Sequence, residues 1–174
     1  ATWSKSGTTW VQQIVAQLVF RGDPEVFGQE RSPWIEFRLM PKEEAFAVAA
    51  AQTHRRFIKT HSPLEAIPFR PELKYLYIGR DPRDVAWSMY HHQSIFTPQA
   101  YEGFNSVPGL VGPKMTPVDC DVRAYYHHFL DRGHFPGFSP AVEFWPHVQG
   151  WWNARHLPNV LLVHYANLKA DLPA

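Results

Sequence analysis

Apolar residues recur at helical spacing close to the start of the chain. The repeating positions are Trp10, Val11, Ile14, Val15, Leu18 and Val19. This spacing predicts an amphipathic helix from Thr8 to about Phe20 with one buried face. Residues 4–9 therefore form a turn that leads directly into a helix N-terminus.

Three further apolar stretches have the length and composition of strands. They cover residues 56–61, 73–79 and 159–165. Helices are predicted at 41–52, 83–94, about 119–133 and 146–155, with connecting loops at 23–40 and 97–118. Strands that alternate with helices indicate an α/β fold with a central parallel sheet flanked by helices. In such a sheet, a ligand is expected at the carboxyl ends of the strands.

The composition fits a single globular domain over residues 1–174. Lys and Arg number 17 against 16 Asp and Glu, so no overall basic field indicates a nucleic-acid partner. Cys120 is the single cysteine, which excludes an internal disulfide and a cysteine-based zinc site. No apolar run reaches about 18 residues, so no membrane-spanning helix is expected. We expect a cytoplasmic protein.

The turn at residues 4–9 has the chemistry of an anion site. A helix N-terminus presents backbone N–H groups without intrahelical partners and the positive end of the helix dipole. Lys5 adds a charge, while Ser6, Thr8 and Thr9 add hydroxyl donors. We therefore predict that this segment, the anion loop, binds an anion, with phosphate the best match. The alternative is an ordinary capped helix with a surface lysine.

Lys59 and His61 end the first predicted strand. A histidine has the right ordinary pKa to accept a proton at neutral pH, and a nearby lysine stabilises charge that develops on a transferred group. If this strand end lies beside the anion loop, the two residues are catalytic candidates. The alternative is a solvated strand end.

Arg80 and Ser88 follow the second predicted strand. Arg80 lies on the turn after the strand, and Ser88 lies about two turns into the next helix. A guanidinium fork and a hydroxyl suit a second phosphate. In the alternative, Arg80 pairs with Asp81 or Asp84 and Ser88 is merely packed.

These motifs together resemble one family of enzymes. The phosphate loop of nucleotide hydrolases requires glycine directly followed by lysine, whereas here Lys5 precedes Gly7. The order of motifs is instead similar to that of cytosolic-type sulfotransferases, which use 3'-phosphoadenosine 5'-phosphosulfate (PAPS). The matching elements are Lys5–Trp10, Lys59–His61, Arg80 with Ser88, Trp151–Trp152 and Tyr165.

The resemblance implies a P-loop-like three-layer α/β fold and a role for each matching residue. The 5'-phosphosulfate of PAPS is expected to bind Lys5, Ser6, Gly7, Thr8 and Thr9. Trp10 is expected to stack on adenine and Tyr165 to approach it, with Arg80 and Ser88 on the 3'-phosphate. His61 is the expected general base, and Lys5 and Lys59 are expected to stabilise the sulfuryl group and the departing phosphate.

No metal is required by this chemistry, and none is predicted. The adjacent pairs His91–His92 and His127–His128 diverge on a helix, so they are not expected to ligate one ion. The acceptor is expected to be a small molecule with a hydroxyl or amine. Aromatic side chains in or beside loops predict an apolar or aromatic acceptor pocket, or simply core: Phe96, Tyr101, Phe104, Phe135, Phe138 and Phe144.

The chain departs from the family pattern in two places, and two other functions compete with sulfuryl transfer. The family's basic Arg-Lys-Gly segment near the C-terminus is not found before Ala174, and most of the first strand is also expected to be missing. One alternative function is a magnesium-dependent phosphotransferase such as a nucleoside kinase. The other is a non-catalytic module that binds 3',5'-bisphosphoadenosine (PAP) without transferring a group.

Overall fold

The computed structural model describes residues 1–110, 112–138 and 142–170. The helices are α1 (Thr8–Val19), α2 (Gly28–Arg31), α3 (Lys42–Ala50), α4 (Pro82–Ser94), α5 (Pro98–Asn105), α6 (Val122–Arg132), α7 (Phe144–Asn153) and α8 (Tyr165–Ala170). The strands are β1 (Tyr75–Gly79) and β2 (Val160–His164), and Leu64–Ala66 forms a 3₁₀ turn. Within these ranges, no helix combines the length and the hydrophobicity needed to cross a membrane.

Parallel extended segments form the centre of the fold. β1 and β2 pair in parallel, with Tyr75 opposite Val160. On the other side of β1, the Ile78 N–H donates to the Ala1 carbonyl at 3.2 Å. Thr2 in turn donates its N–H to the Thr60 carbonyl at 3.2 Å. The segment at residues 59–60 therefore lies beside residues 1–3, as the predicted parallel sheet requires.

The predicted strand at 56–61 is wrong. Only Lys59 forms a bridge there, with Trp34, and the side chains of Arg56 and Ile58 are exposed. Because the segment makes few backbone contacts, its apolar residues do not form a regular strand. The strand predicted at 73–79 is confirmed as β1, and that at 159–165 as β2.

The predicted loop at 97–118 is wrong in part, since it contains α5. The Thr97 side chain accepts a hydrogen bond from the Ala100 N–H, and Pro98 occupies the first turn; these are ordinary helix-start signals. The predicted helix at 83–94 is confirmed as α4, which starts one residue earlier. Its N-cap is Asp81, which accepts from the Arg83 N–H at 2.8 Å.

The predicted buried face of α1 is wrong in part, since five of its six residues are only half-buried and the sixth is exposed. The buried residues of α1 are Gln12 and Ala16, whereas Leu18 is 76% exposed. The reason is the close approach of α2, where a Cβ on Gly28 would lie 2.4 Å from the Gln12 carbonyl oxygen. Gln13 binds the same turn, because its amide donates to the Val26 carbonyl at 2.9 Å. Polar amides therefore occupy the packed side of this helix.

An aromatic core lies on one face of the sheet. Its buried members are Trp3, Val85, Ala86, Met89, Tyr125, Phe129, Phe135 and Phe144. Tyr77 of β1 faces the same side and stacks on Trp151 with ring centroids 5.2 Å apart. Ile78 points the opposite way, toward Gly7 at the start of α1. Helices therefore flank the sheet on both faces, as predicted.

Truncating one core aromatic tests this packing. Phe129 is fully buried and stacks on Phe135 with centroids 4.9 Å apart. We expect Phe129→Ala to lower the free energy of unfolding by about 3–5 kcal/mol. The control Phe46→Ala removes a half-exposed ring from α3 and is expected to cost about 0.5 kcal/mol. Equal losses in urea denaturation would contradict the assigned core.

Candidate active site

A cavity of about 1060 Å³ lies where the parallel segments end. The anion loop follows residues 1–3, His61 follows the segment at 59–60, Arg80 follows β1 and Tyr165 follows β2. All four groups line this one cavity. Segments that are distant in the sequence therefore converge at a single edge of the sheet, as expected for an α/β fold.

The backbone of the anion loop turns sharply into α1. Lys5 has φ 64° and Gly7 has φ 105°, both in the left-handed region. The side chain of Ser6 is buried, and no side chain caps the N-terminus of α1. The first N–H groups of the helix are therefore available to an anion, whereas the Ser6 N–H donates to the Trp3 carbonyl at 3.3 Å.

Gly7 is required by its surroundings as well as by its backbone angles. A Cβ at this position would lie 2.6 Å from Cδ2 of Tyr165 and 3.2 Å from Cδ1 of Ile78. Tyr165 also meets Trp10 edge to face, with centroids 5.3 Å apart. The tyrosine thus closes over the loop and joins α8 to the start of α1.

Arg80 is directed at the anion loop. Its Nη1 donates to the Lys5 carbonyl at 3.0 Å, and its guanidinium lies 4.3 Å from the centre of the Tyr165 ring. Its Nε also lies 3.7 Å from Asp84, so the predicted alternative of an ion pair is present as a long contact. Ser88 lines the same cavity, and the structure therefore brings this predicted pair to the loop.

His61 is held in one tautomer. Its Nδ1 lies 2.7 Å from the Thr2 carbonyl, which can only accept, so Nδ1 carries the proton and Nε2 keeps a lone pair. The ring meets Trp34 edge to face at 4.9 Å. Burial, with the charge of Lys59, lowers the pKa of His61 to about 3. At neutral pH the imidazole is therefore uncharged and can accept a proton at Nε2.

A second histidine, which the sequence did not single out, supports His61. His147 in α7 is 1% exposed. Its Nε2 lies 3.0 Å from the His61 carbonyl, and its Nδ1 lies 3.2 Å from the Tyr77 hydroxyl. Nε2 must donate to the carbonyl, so Nδ1 accepts from Tyr77. In the sequence, His147 is marked only as a lone histidine within an aromatic helix, and such a residue is equally typical of a protein core.

Three cations surround the anion loop. Burial and the charge of Arg80 lower the pKa of Lys5. Burial also lowers the pKa of Lys59. The charge of Glu36 raises this pKa, and the charge of Lys5 lowers it further. Nζ of Lys59 lies 4.0 Å from the centre of the Trp34 ring. Within the described residues, neither lysine has a carboxylate within ion-pair distance, so a bound anion would relieve their repulsion.

Glu36 joins the cavity wall to the segment that carries His61. Its Oε1 accepts from the Thr60 hydroxyl at 3.0 Å and from the His61 N–H. The Thr60 hydroxyl oxygen in turn accepts from the Ser62 N–H at 3.0 Å. No periodic pattern marks Glu36 in the sequence, because it lies in a loop and its partners are about 25 residues away.

The apolar part of the cavity was predicted in part. Phe96, Phe104 and Phe138 line it, as expected. Tyr101, Phe135 and Phe144 do not line it and are buried instead, so for them the alternative prediction of core was right. The apolar wall is completed by residues that the sequence did not identify: Phe27, Trp34, Phe37, Met89 and Met115.

The donors in this cavity suit an anionic nucleotide better than a metal ion. The loop N–H groups, Lys5 and Arg80 are all donors, and Trp10 and Tyr165 present rings beside them. In residues 1–110, 112–138 and 142–170, no three His, Cys, Asp or Glu side chains converge to hold a metal ion.

The sequence of this chain is similar to those of known proteins. The whole chain, residues 1–174, matches the family model of the sulfotransferase domain. A glycolipid sulfotransferase of Mycobacterium tuberculosis is 35% identical over 97% of this chain and 57% of its own length. Human sulfotransferase 1E1 is 29% identical over 99% of this chain and 53% of its own length. The chain thus spans about half the length of the curated relatives it matches.

Two solved structures share the fold. Retinol dehydratase in complex with androsterone and the inactive cofactor PAP matches with a TM-score of 0.71 at 22% identity, over 99% of this chain and 55% of that one. Mouse sulfotransferase SULT7A1 complexed with PAP matches with a TM-score of 0.60 at 23% identity, over 98% and 51%. The likenesses confirm the predicted P-loop-like α/β fold.

The buried histidines predict how stability depends on pH. His61 and His147 have folded pKa values of about 3 and about 4, against roughly 6.5 in the unfolded chain. Between these values the unfolded chain binds more protons, so stability present above pH ~6.5 is lost as the pH falls toward the folded pKa. We expect urea denaturation to show this decrease between about pH 7 and pH 5.

The variant His147→Gln isolates the share of His147. Glutamine keeps one donor and one acceptor but does not titrate, so up to about 2 kcal/mol of the decrease should disappear. An unchanged pH slope in this variant would contradict the assignment of a buried, neutral His147.

Proposed function

The chain belongs to the sulfotransferase family, and from this premise we propose that it transfers a sulfuryl group from PAPS to a hydroxyl or amine of a small-molecule acceptor. The observation that carries the proposal is the meeting of three cations, an open helix N-terminus and a neutral His61 in one cavity. Each is needed for transfer between an anionic donor and a protic acceptor.

The anion loop is the proposed site of the 5'-phosphosulfate, through Lys5, Ser6, Gly7, Thr8 and Thr9. The uncapped start of α1 and the left-handed turns at Lys5 and Gly7 support this role. A phosphosulfate accepts several hydrogen bonds at once, which suits a series of convergent N–H groups.

The adenosine end of PAPS is proposed to lie beside the ring pair of Trp10 and Tyr165. The two rings meet edge to face with centroids 5.3 Å apart, and they are the proposed contacts of adenine. Arg80 and Ser88 are the proposed ligands of the 3'-phosphate. The contacts of Arg80 with the Lys5 carbonyl and the Tyr165 ring support this role, because they orient the guanidinium before the donor binds.

Proton transfer is assigned to His61. When bound, PAPS supplies the sulfuryl group and a stable phosphate leaving group. His61 accepts the acceptor's proton at Nε2 as the acceptor's oxygen or nitrogen bonds to sulfur. Lys5 and Lys59 face the negative charge that grows on the phosphate oxygen as its bond to sulfur breaks. Positioning and charge stabilisation then supply most of the rate, by analogy with phosphoryl transfer.

The pKa of His61 responds to charge in the cavity. Burial and the charge of Lys59 lower this pKa to about 3, which leaves a neutral but weak base. A nearby anion favours the protonated form of an imidazole, so donor binding would raise the pKa and strengthen the base.

The acceptor is proposed to be apolar or aromatic around its reacting group. The walls formed by Phe96, Phe104 and Phe138 with Trp34 and Met115 support this choice. Among the similar proteins, one is named a glycolipid sulfotransferase and another was solved with androsterone. The hydrophobic portions of such molecules are of the kind that this wall would bury.

Replacing His61 tests the proton transfer. We expect His61→Ala to lower the rate of sulfuryl transfer from PAPS by about 100-fold or more, with PAP affinity changed less than about threefold, since the ring faces the acceptor. The control His91→Ala removes an imidazole from the adjacent helix α4 outside the cavity. Rates are measured with labelled PAPS, with and without a chelator, and affinity by calorimetry.

Retained turnover in His61→Ala would remove His61 from the role of base. Loss of transfer in the presence of the chelator would favour the magnesium-dependent phosphotransferase instead.

Replacing Arg80 tests the 3'-phosphate site. Because a hydrogen bond to a charged group contributes about 1.5–3 kcal/mol, we expect Arg80→Ala to weaken PAP binding by about 10- to 100-fold. Binding of adenosine 5'-phosphate, which lacks the second phosphate, is expected to change much less. Calorimetric titrations that show equal losses for both nucleotides would contradict the assignment.

A further inference from the structure

One carboxylate lies in the cavity wall on the side of His61. Glu36 contacts the segment at 59–61 through the Thr60 hydroxyl and the His61 N–H. Its negative charge is therefore held against the backbone of His61, the proposed base. The transfer chemistry described above assigns no step to this charge.

Only one of the two carboxylate oxygens of Glu36 accepts hydrogen bonds from the described residues. Both hydrogen bonds end on Oε1, and Glu36 is an exposed residue that lines the cavity. In the part of the chain that the structure describes, no cation lies within ion-pair distance of Glu36. Within these residues Oε2 therefore has no hydrogen-bond partner, and the charge of the carboxylate is not neutralised by a direct contact.

The cations Lys5, Lys59 and Arg80 share the cavity with Glu36. The charge of Glu36 reaches Lys59, whose pKa it raises against the effect of burial. An anionic donor in the anion loop would match the charge of these three cations. Arg38, two residues after Glu36, donates from Nη2 to the Pro113 carbonyl at 3.1 Å. Burial and the charge of Lys5 lower the pKa of His92, the other cavity histidine. Once a donor occupies the loop, Glu36 is the charge that an acceptor meets beside His61.

We propose, building on the proposed function, that Glu36 selects acceptors by charge. The cavity then favours acceptors that carry an ammonium group or no charge, and it disfavours acceptors that carry a carboxylate. The physical basis is the interaction of unlike or like charges in a partly enclosed cavity, where solvent screens them less than at an open surface.

Three matched phenols test this inference: tyramine, 4-ethylphenol and 3-(4-hydroxyphenyl)propionate. They share the ring and the hydroxyl and differ in the charge at the other end. At pH 7, dissociation constants are measured by calorimetry for the protein with PAP and without it, and transfer rates are measured with PAPS. With PAP bound, we expect wild type to bind tyramine about tenfold more tightly than 4-ethylphenol, and the carboxylate most weakly.

The variant Glu36→Gln removes the charge but keeps an oxygen for Thr60 and the His61 N–H. We expect the preference for tyramine over 4-ethylphenol to shrink about tenfold and the carboxylate to bind more tightly. Binding of 4-ethylphenol is expected to change less than about twofold. The control Glu102→Gln removes an exposed carboxylate outside the cavity and is expected to leave all three affinities unchanged.

Three results with PAP bound would overturn the inference: an unchanged ranking in Glu36→Gln, tightest binding of the carboxylate by wild type, or no binding of any of the three phenols. Charge-dependent binding that disappears in Glu36→Gln, without transfer to any phenol, would support the inference and count against the proposed function. The two proposals therefore fail separately.

Discussion

The mutual repulsion of three cations is the constraint on which this site depends. Lys5, Lys59 and Arg80 line one cavity, and the charges of Lys5 and Lys59 are unpaired by contact within the described residues. Neutral groups hold two of them: the Lys5 carbonyl and the Tyr165 ring for Arg80, and the Trp34 ring for Lys59. Carbonyls and ring faces hold cations without cancelling their charge, so the charge stays available to an anion.

Beside these cations, His61 is held in place by contacts from three parts of the chain. The Thr2 carbonyl fixes its ring, while His147, itself bonded to Tyr77, fixes its carbonyl. These partners come from the first residues, from β1 and from α7, so the base depends on the parallel arrangement of the sheet and on the helix that covers it. His61 is thereby held by specific contacts, although the segment at 56–61 forms no regular strand.

The sequence predicted the parts of the site that follow strand ends and failed where tertiary contacts decide. The anion loop, Arg80 and Tyr165 were predictable because short motifs mark them. Burial on α1 was mispredicted because Gly28 brings α2 against its polar side. Glu36 was missed because its role arises from contacts with a segment about 25 residues away, and no local pattern encodes such pairing.

The central claim is that the anion loop and Arg80 form one site for a nucleotide with two separate phosphates, beside a neutral His61. Calorimetric titration of the wild-type chain with PAP and with ADP, without magnesium, tests it most directly. The nucleotides differ in where the second phosphate lies. We predict that PAP binds at least about tenfold more tightly than ADP. Equal affinities, or tighter binding of ADP, would contradict the account.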